Sequence, residues 1–287
     1  MKRTRPLQSM ALAALVIMTA GCGASDGPEA IEDPRPSTTT TTPEAGDPDE
    51  VVWQQVTGGG MIPTVESLSE VPDVTIYADG RIFVTVAGPD DRGDRPVELA
   101  RSQVEADQLQ GFLERAAATE LFEPNTDFGS PGVTDLRSTT VALRIDGTLQ
   151  SVNVYALGFD APDGPFSGVS EKQQARRTEL IDLLATARSL ATESTPYEPE
   201  QVRATLFELA PGVDPPAGGQ AWPGPEFAKF PAADEAGQSC LVIEGKDAQT
   251  VYEAAQTNPG AVWEQGGTTH QVVVAPMLPG QEGCPPG

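Results

Sequence analysis

Residues 139–155, TTVALRIDGTLQSVNVY, are the stretch from which the fold of this chain can be worked out. β-Branched and apolar residues stand on both sides of Asp146-Gly147, and an Asp-Gly pair suits a tight turn because both positions accept positive φ. A second stretch, VTIYADGRIFVTV, has the same layout around Asp79-Gly80. Both stretches therefore predict β-hairpins of the same design.

Each predicted hairpin is followed by a predicted helix with a capping box at its start. The two boxes are Ser102-x-x-Glu105 and Ser170-x-x-Gln173. Apolar residues then recur at the spacing of a helix that lies on a sheet: Leu109, Phe112, Leu113 and Ala116 in the first, and Leu180, Leu183, Leu184 and Ala187 in the second. We therefore expect an α+β fold over residues 51–195. It consists of an antiparallel sheet of four or five strands, built from two ββα units with both helices on one face.

Residues 196–287 predict a second, smaller unit of βαββ layout. CLVIEG indicates a strand, Asp247 is expected to cap a short helix, and AVWEQGGTTHQVVVAPML predicts a hairpin that turns at Gly266-Gly267. A Gly- and Pro-rich loop over residues 211–225 precedes this unit. So short a unit buries little core and needs additional stabilisation.

The first 21 residues predict an export signal, with a basic start and an apolar run too short to span a bilayer. The TAGC that ends at Cys22 resembles a bacterial lipobox, which implies a diacylglyceryl thioether on Cys22. The alternative is an ordinary secretory signal cut nearby, with a free Cys22. Residues 22–50 are rich in Thr, Pro and acidic side chains, which predicts a disordered tether between the anchor and the folded part.

Cys240 and Cys284 are the other two cysteines of the chain. An exported protein meets an oxidising environment, in which paired thiols form disulfides. A metal pair or a redox site would need a CxxC motif or nearby histidines, and the sequence has neither. We therefore predict a Cys240–Cys284 disulfide that closes the βαββ unit.

The balance of charge excludes some partners. With 42 Asp and Glu against 18 Lys and Arg, the formal charge is -24. Such a protein repels nucleic-acid phosphates and anionic lipid surfaces, so we expect no nucleic acid partner and membrane attachment through the lipid anchor alone. We also expect a monomer.

A search for catalytic motifs identifies no reaction. His270 is the only histidine and is expected to be a half-exposed strand residue, and a single histidine rules out a multi-His metal site. No nucleotide-binding or hydrolase motif is present. The densest acidic loop contains Asp90, Asp91 and Asp94, a weak candidate for a cation site because hard cations favour carboxylates. The three tryptophans stand far apart in the sequence. We expect no enzyme activity and no cofactor.

The lipobox-like stretch, the Thr/Pro tether and the C-terminal CLVIEG…AAQTNPGAVWEQGG…VVVAPMLPG…GC together resemble uncharacterised lipoproteins of actinobacteria. That resemblance implies anchoring on the outer face of the cytoplasmic membrane and supplies no catalytic residues. The leading hypothesis is a non-enzymatic surface module that binds an envelope protein or a wall component, through its sheet or the loop at 211–225. The alternatives are a small-molecule or cation carrier, and a hydrolase whose residues carry no recognisable motif.

Overall fold

The computed structural model describes residues 47–86, 94–159, 168–207 and 219–284. Within those ranges the strands form two sheets, and the helices are few. The first sheet contains β1 (Val51–Gly58), β2 (Val74–Tyr77), β3 (Arg81–Thr85), β4 (Leu99–Gln103), β5 (Ser138–Ile145), β6 (Thr148–Tyr155) and β7 (Thr195–Pro196). The second contains β8 (Gln201–Phe207), β9 (Gln220–Ala221), β10 (Gln238–Glu244), β11 (Val262–Gln265) and β12 (Thr268–Pro276). The helices are α1 (Thr64–Leu68), α2 (Ala106–Ala117), α3 (Glu171–Ser189) and α4 (Gly245–Thr257). The predicted α+β class with antiparallel sheets is confirmed.

The first sheet has strand order β6-β5-β1-β2-β3-β4-β7, and all its pairings are antiparallel. The prediction of four or five strands was too low. β1 inserts between the two predicted hairpins and pairs with both β2 and β5. β4 and the two-residue β7 extend the opposite edge beyond β3. Pairing between segments distant in sequence thus enlarges the sheet.

The two Asp-Gly pairs make different turns. Asp146 and Gly147 have φ of 47° and 75° and join β5 directly to β6 in the predicted tight turn. At the first hairpin only Gly80 has positive φ, 86°, and its N–H donates to the carbonyl of Tyr77 at 2.9 Å. The loop there has three residues rather than two, so the predicted tight two-residue turn at Asp79-Gly80 was wrong.

The two predicted capping boxes also have different outcomes. Ser170 caps α3 as predicted, with the Ser170 and Gln173 side chains each bonded to the other's backbone N–H. Ser102 lies inside β4 instead, and α2 begins only at Ala106, with Glu105 at the N-cap and no side-chain cap. The capping box at Ser102 was therefore wrong, and a strand intervenes before the helix.

The stripes of α2 and α3 contribute to one hydrophobic cluster on the same side of the first sheet. Leu109, Phe112 and Leu180 pack there with the central strand residues Trp53 and Ile82. The predicted Leu113 and Leu183 lie at its margin, only partly buried. Trp53 is fully buried and meets Phe112 edge-on, with ring centroids 5.0 Å apart. This cluster is the larger core of the described chain.

The second sheet has strand order β10-β8-β12-β11-β9, antiparallel except for the β9–β11 pair. β10, α4, β11 and β12 follow one another as the predicted βαββ layout, and the β11–β12 hairpin turns at Gly266-Gly267. Asp247 lies in the first turn of α4 and Glu244 is the N-cap, so the predicted cap at Asp247 was wrong.

The predicted disulfide is confirmed. Cys240 and Cys284 are bonded, with their α-carbons 5.7 Å apart. The bond links β10 to the segment that follows β12.

A buried interface joins the part of the chain before residue 195 to the part after it. Tyr77, Phe83 and Leu99 of the first sheet form a buried cluster with Ala275 and Leu278. The Tyr77 hydroxyl also donates to the carbonyl of Pro279 at 2.7 Å. Residues Glu44–Gly287 accordingly form one compact unit. The division into domains 51–195 and 196–287 stays a prediction.

Candidate functional site

The predicted cation loop is only partly within the described residues, since Asp90 and Asp91 lie outside them. Asp94 is exposed and lies close to the turn after α4, where a Cβ added to Gly260 would come within 2.9 Å of Asp94 Oδ2. It borders a cavity of about 100 Å³ beside α1 and β12, room for a few water molecules. Across the described ranges, no group of three or more His, Cys, Asp or Glu side chains is arranged to hold a metal. The cation site stays a prediction.

His270 lies half-buried in β12, as predicted. Its ring meets Phe227 edge-on at 4.7 Å, and its backbone pairs with Trp263 across the hairpin. The contact with Phe227 fixes one edge of the ring in the second sheet.

The described end of the Gly/Pro loop, residues 219–225, packs into the second core. Trp222 is buried, its indole N–H donates to the carbonyl of Pro225 at 2.8 Å, and its ring lies 5.5 Å from that of Trp263. Two of the tryptophans that are distant in sequence are therefore in contact. Residues 211–218 and Cys22 lie outside the described residues.

A groove of about 460 Å³ lies between α4 and the edge where β4 pairs with β7. Its volume falls in the range of ordinary ligand sites, although it is open to solvent rather than enclosed. Its apolar lining residues are Leu99, Ala100, Pro196, Tyr197, Pro199 and Tyr252, of which Leu99 and Pro199 are buried behind the others. Val86, 58% exposed, stands at the margin. We refer to this surface as the α4 groove.

Hydrogen bonds across the molecule hold the walls of the α4 groove. The Tyr252 hydroxyl on α4 donates to the carbonyl of Val97 at 2.7 Å, and the amide of Gln256 donates to the carbonyl of Pro96 at 3.0 Å. On the opposite wall, the Tyr197 hydroxyl donates to the carbonyl of Met277 at 3.0 Å. Because both hydroxyls are engaged, the two tyrosines offer a ligand their rings rather than their O–H groups.

Burial raises the pKa of both phenol groups. Removal from water disfavours the phenolate, and it raises the pKa of Tyr252 to about 12, with nearby Glu98 acting in the same direction. Burial likewise raises the pKa of Tyr197. Both side chains are therefore neutral at physiological pH and serve as structural donors.

The polar part of the groove lining is acidic. Glu98, Glu198 and Glu253 are exposed and belong to the lining, which includes neither lysine nor arginine among the described residues. The side-chain oxygen of Gln256 is buried and accepts no hydrogen bond from the described part of the chain. The groove thus combines an apolar floor with negative charge.

The elements predicted from the sequence do not include this groove. Tyr197 lies in the stretch ATESTPYEPE, residues 191–200, at the boundary between the two predicted units, and β4 was not predicted as a strand. The alternation of proline, tyrosine and glutamate in TPYEPE was the available signal, but its meaning depends on the packing of α4 against it. In the part of the chain that the structure describes, no helix is long and apolar enough to cross a membrane.

Comparison with models of known protein families, with curated proteins and with solved structures finds no match for this chain.

Proposed function

We propose that this protein is a lipoprotein anchored through Cys22 on the outer face of the cell membrane, and that its folded part is a non-enzymatic binding module. The binding surface is the α4 groove. The observation that carries the proposal is the open, apolar lining of this groove, held in place by hydrogen bonds from both halves of the chain.

The shape of the groove suits a binding module. Exposed apolar surface on a soluble protein marks an interaction site when it is concentrated in one place. An open groove admits a segment of a larger partner, whereas an enclosed pocket would favour a small molecule. Aromatic side chains line grooves that bind extended, proline-rich peptides. The carrier and hydrolase alternatives stay predictions.

We also propose that the two hairpins, each with its following helix, are copies of one ββα unit. Two observations support this: both hairpins turn at an Asp-Gly pair, and α2 and α3 pack into the same cluster. On this proposal β4 is an addition to the first copy, and it is this addition that builds one wall of the α4 groove. The tether of residues 22–50 would hold the groove away from the membrane.

A photo-cross-linking experiment tests the binding proposal. A benzophenone amino acid replaces Gln249, which lines the groove on α4, in the full-length protein expressed with its own signal in an actinobacterial host. The control carries the same group at exposed Asp182 on α3, which packs on the opposite side of the first sheet. We expect cross-linked envelope partners from position 249 and not from position 182. Equal products from both positions, or none from either, would argue against the groove.

The anchor is tested separately. Cys22→Ser removes the thiol that would accept the diacylglyceryl group, so the protein should move from the membrane fraction to the medium or remain unprocessed. Normal cleavage with unchanged membrane retention would contradict lipidation of Cys22.

A further inference from the structure

We infer that the α4 groove selects a basic, extended segment of its partner, in which lysine or arginine alternates with proline or other apolar residues. This inference rests on the proposed binding function and adds the chemistry of the ligand. It follows from the charge and the apolar lining of the groove.

The charge of the groove favours a cationic ligand. Glu98, Glu198 and Glu253 reach it from the segment before β4, the segment after β7 and α4 respectively, so the negative charge comes from three separate parts of the chain. Opposite charge steers an incoming partner and disfavours one of like charge. The overall charge of -24 adds to that field. Nucleic acids and anionic lipid surfaces would be repelled by the same carboxylates.

The apolar lining favours an extended chain. The rings of Tyr197 and Tyr252 and the side chain of Pro196 present flat, rigid surface. Proline-rich segments lose little conformational entropy when they dock on such surfaces, because their polyproline helix is preformed. A tyrosine face also attracts a cation placed over it. Apolar and cationic side chains in alternation would use both properties.

A direct binding assay tests the inference. Fluorescein-labelled peptides of repeated Lys-Pro-Leu, Ser-Pro-Leu and Glu-Pro-Leu are titrated with the detergent-solubilised full-length protein, and anisotropy is measured at low and high salt. We expect the Lys-Pro-Leu peptide to bind about tenfold or more tightly than the Glu-Pro-Leu peptide at low salt, with the difference shrinking as salt screens the charges. Ser194→Trp, which places a large ring in the groove from the wall opposite α4, should weaken binding of every peptide.

Matched variants separate groove charge from net charge. Combined Glu98→Gln, Glu198→Gln and Glu253→Gln should abolish the preference for the basic peptide. The control, combined Glu114→Gln, Glu120→Gln and Glu179→Gln, removes as much charge from exposed positions on other elements and should retain the preference.

Three results would overturn the inference. One is equal binding of basic and acidic peptides by the unmodified protein, and another is the same loss in both triple variants. The third is no binding of any of these peptides while benzophenone at position 249 still captures an envelope partner; that result would leave the binding module standing and reject the basic segment. Absence of groove-specific cross-links would instead reject the proposed function itself.

Discussion

The guanidinium of Arg177 lies in the core between α3 and the end of β6, with 2% of the residue exposed. It donates to the carbonyl of Tyr155 at 3.0 Å and of Phe128 at 3.4 Å, and also to the carbonyl of Ala156. Ala156 has φ of 50°, a left-handed conformation that costs a non-glycine residue of order 1 kcal/mol. Burial lowers the pKa of Arg177 from its usual value. The side chain thus holds the turn that ends the sheet's edge strand.

Arg177→Ala should lower the free energy of unfolding by about 2–4 kcal/mol, because it leaves buried carbonyls without donors and opens a cavity. The measurement is urea denaturation. The control is Arg176→Ala, whose side chain donates only to the carbonyl of Asp127 in an exposed position and should cost less than about 1 kcal/mol. Equal costs for the two variants would contradict the structural role of Arg177.

Tyr252 gives a prediction on pH. Its pKa of about 12 in the folded chain exceeds the ordinary value near 10 expected after unfolding, so the unfolded state loses its proton first. The stability contributed by the protonated phenol is therefore complete below pH 10 and is lost as pH rises towards 12. Tyr252→Phe should cost about 1 kcal/mol at pH 8, through the lost bond to Val97, and should weaken the decline in stability between pH 10 and 12. An unchanged pH profile would contradict this account.

At the scale of elements, α3 owes its sharp beginning to one side chain. The Ser170 hydroxyl accepts from the N–H of Gln173, whose side chain accepts from the N–H of Ser170 at 2.7 Å and also donates to Asp127. Ser170→Ala should cost about 1 kcal/mol, the usual value for an N-cap. The control is Ser189→Ala at the other end of α3, where the hydroxyl caps no N–H group and donates only to the carbonyl of Thr186. The free energy of unfolding of both variants is measured by thermal or urea denaturation. An equal loss from the two substitutions would contradict the role of Ser170 as the cap.

The same capping pattern at Ser102 shows where local interpretation fails. Ser102-x-x-Glu105 has the composition of a helix start, yet Ser102 pairs with Ile82 inside β4. An N-cap is worth about 1 kcal/mol, whereas a strand at this position adds a full ladder of hydrogen bonds and buries Leu99. The strand pairing stabilises this segment more than the cap would, and residues 99–103 therefore form a strand. No periodicity within residues 99–103 predicts that ladder.

At the scale of the whole molecule, the disulfide and the hydrogen bonds of two tyrosine hydroxyls determine whether the chain unfolds in one step. The combined Cys240→Ser and Cys284→Ser variant should lose roughly 4 kcal/mol in the chain-entropy account of loop closure. Because the Tyr77 and Tyr252 hydroxyls join the two parts of the chain, we expect the first sheet to lose stability together with the second. Both should unfold in a single transition.

Tryptophan fluorescence can follow the two sheets separately. The combined Trp222→Phe and Trp263→Phe variant leaves Trp53 to report on the first core, and the Trp53→Phe variant leaves Trp222 and Trp263 to report on the second. Coincident urea transitions from the two signals would support one cooperative unit. Two separated transitions, with only the second shifted by loss of the disulfide, would instead support the division at residue 195.

Much of the architecture was determined by the sequence itself. Short-range patterns predicted the tight turn at Asp146-Gly147, the cap at Ser170 and the hairpin at Gly266-Gly267, because each depends on the conformational preferences of a few adjacent residues. The Cys240–Cys284 bond was predicted because only two cysteines remain besides Cys22. Apolar stripes likewise predicted the inner faces of α2 and α3.

Only the tertiary structure decided the position of β1 between the hairpins, the strand at β4 and the α4 groove. Each depends on contacts between segments that are distant in sequence: β1 pairs with β5 more than eighty residues away, and Tyr252 bonds to Val97 over a separation of 155 residues. The conformational preferences of neighbouring residues contain no information on such pairings. A pairing between distant segments stabilises the fold only after the chain has closed the loop that separates the two segments. The candidate site is formed entirely by contacts of this kind, and for that physical reason the sequence could show its residues without showing that they meet.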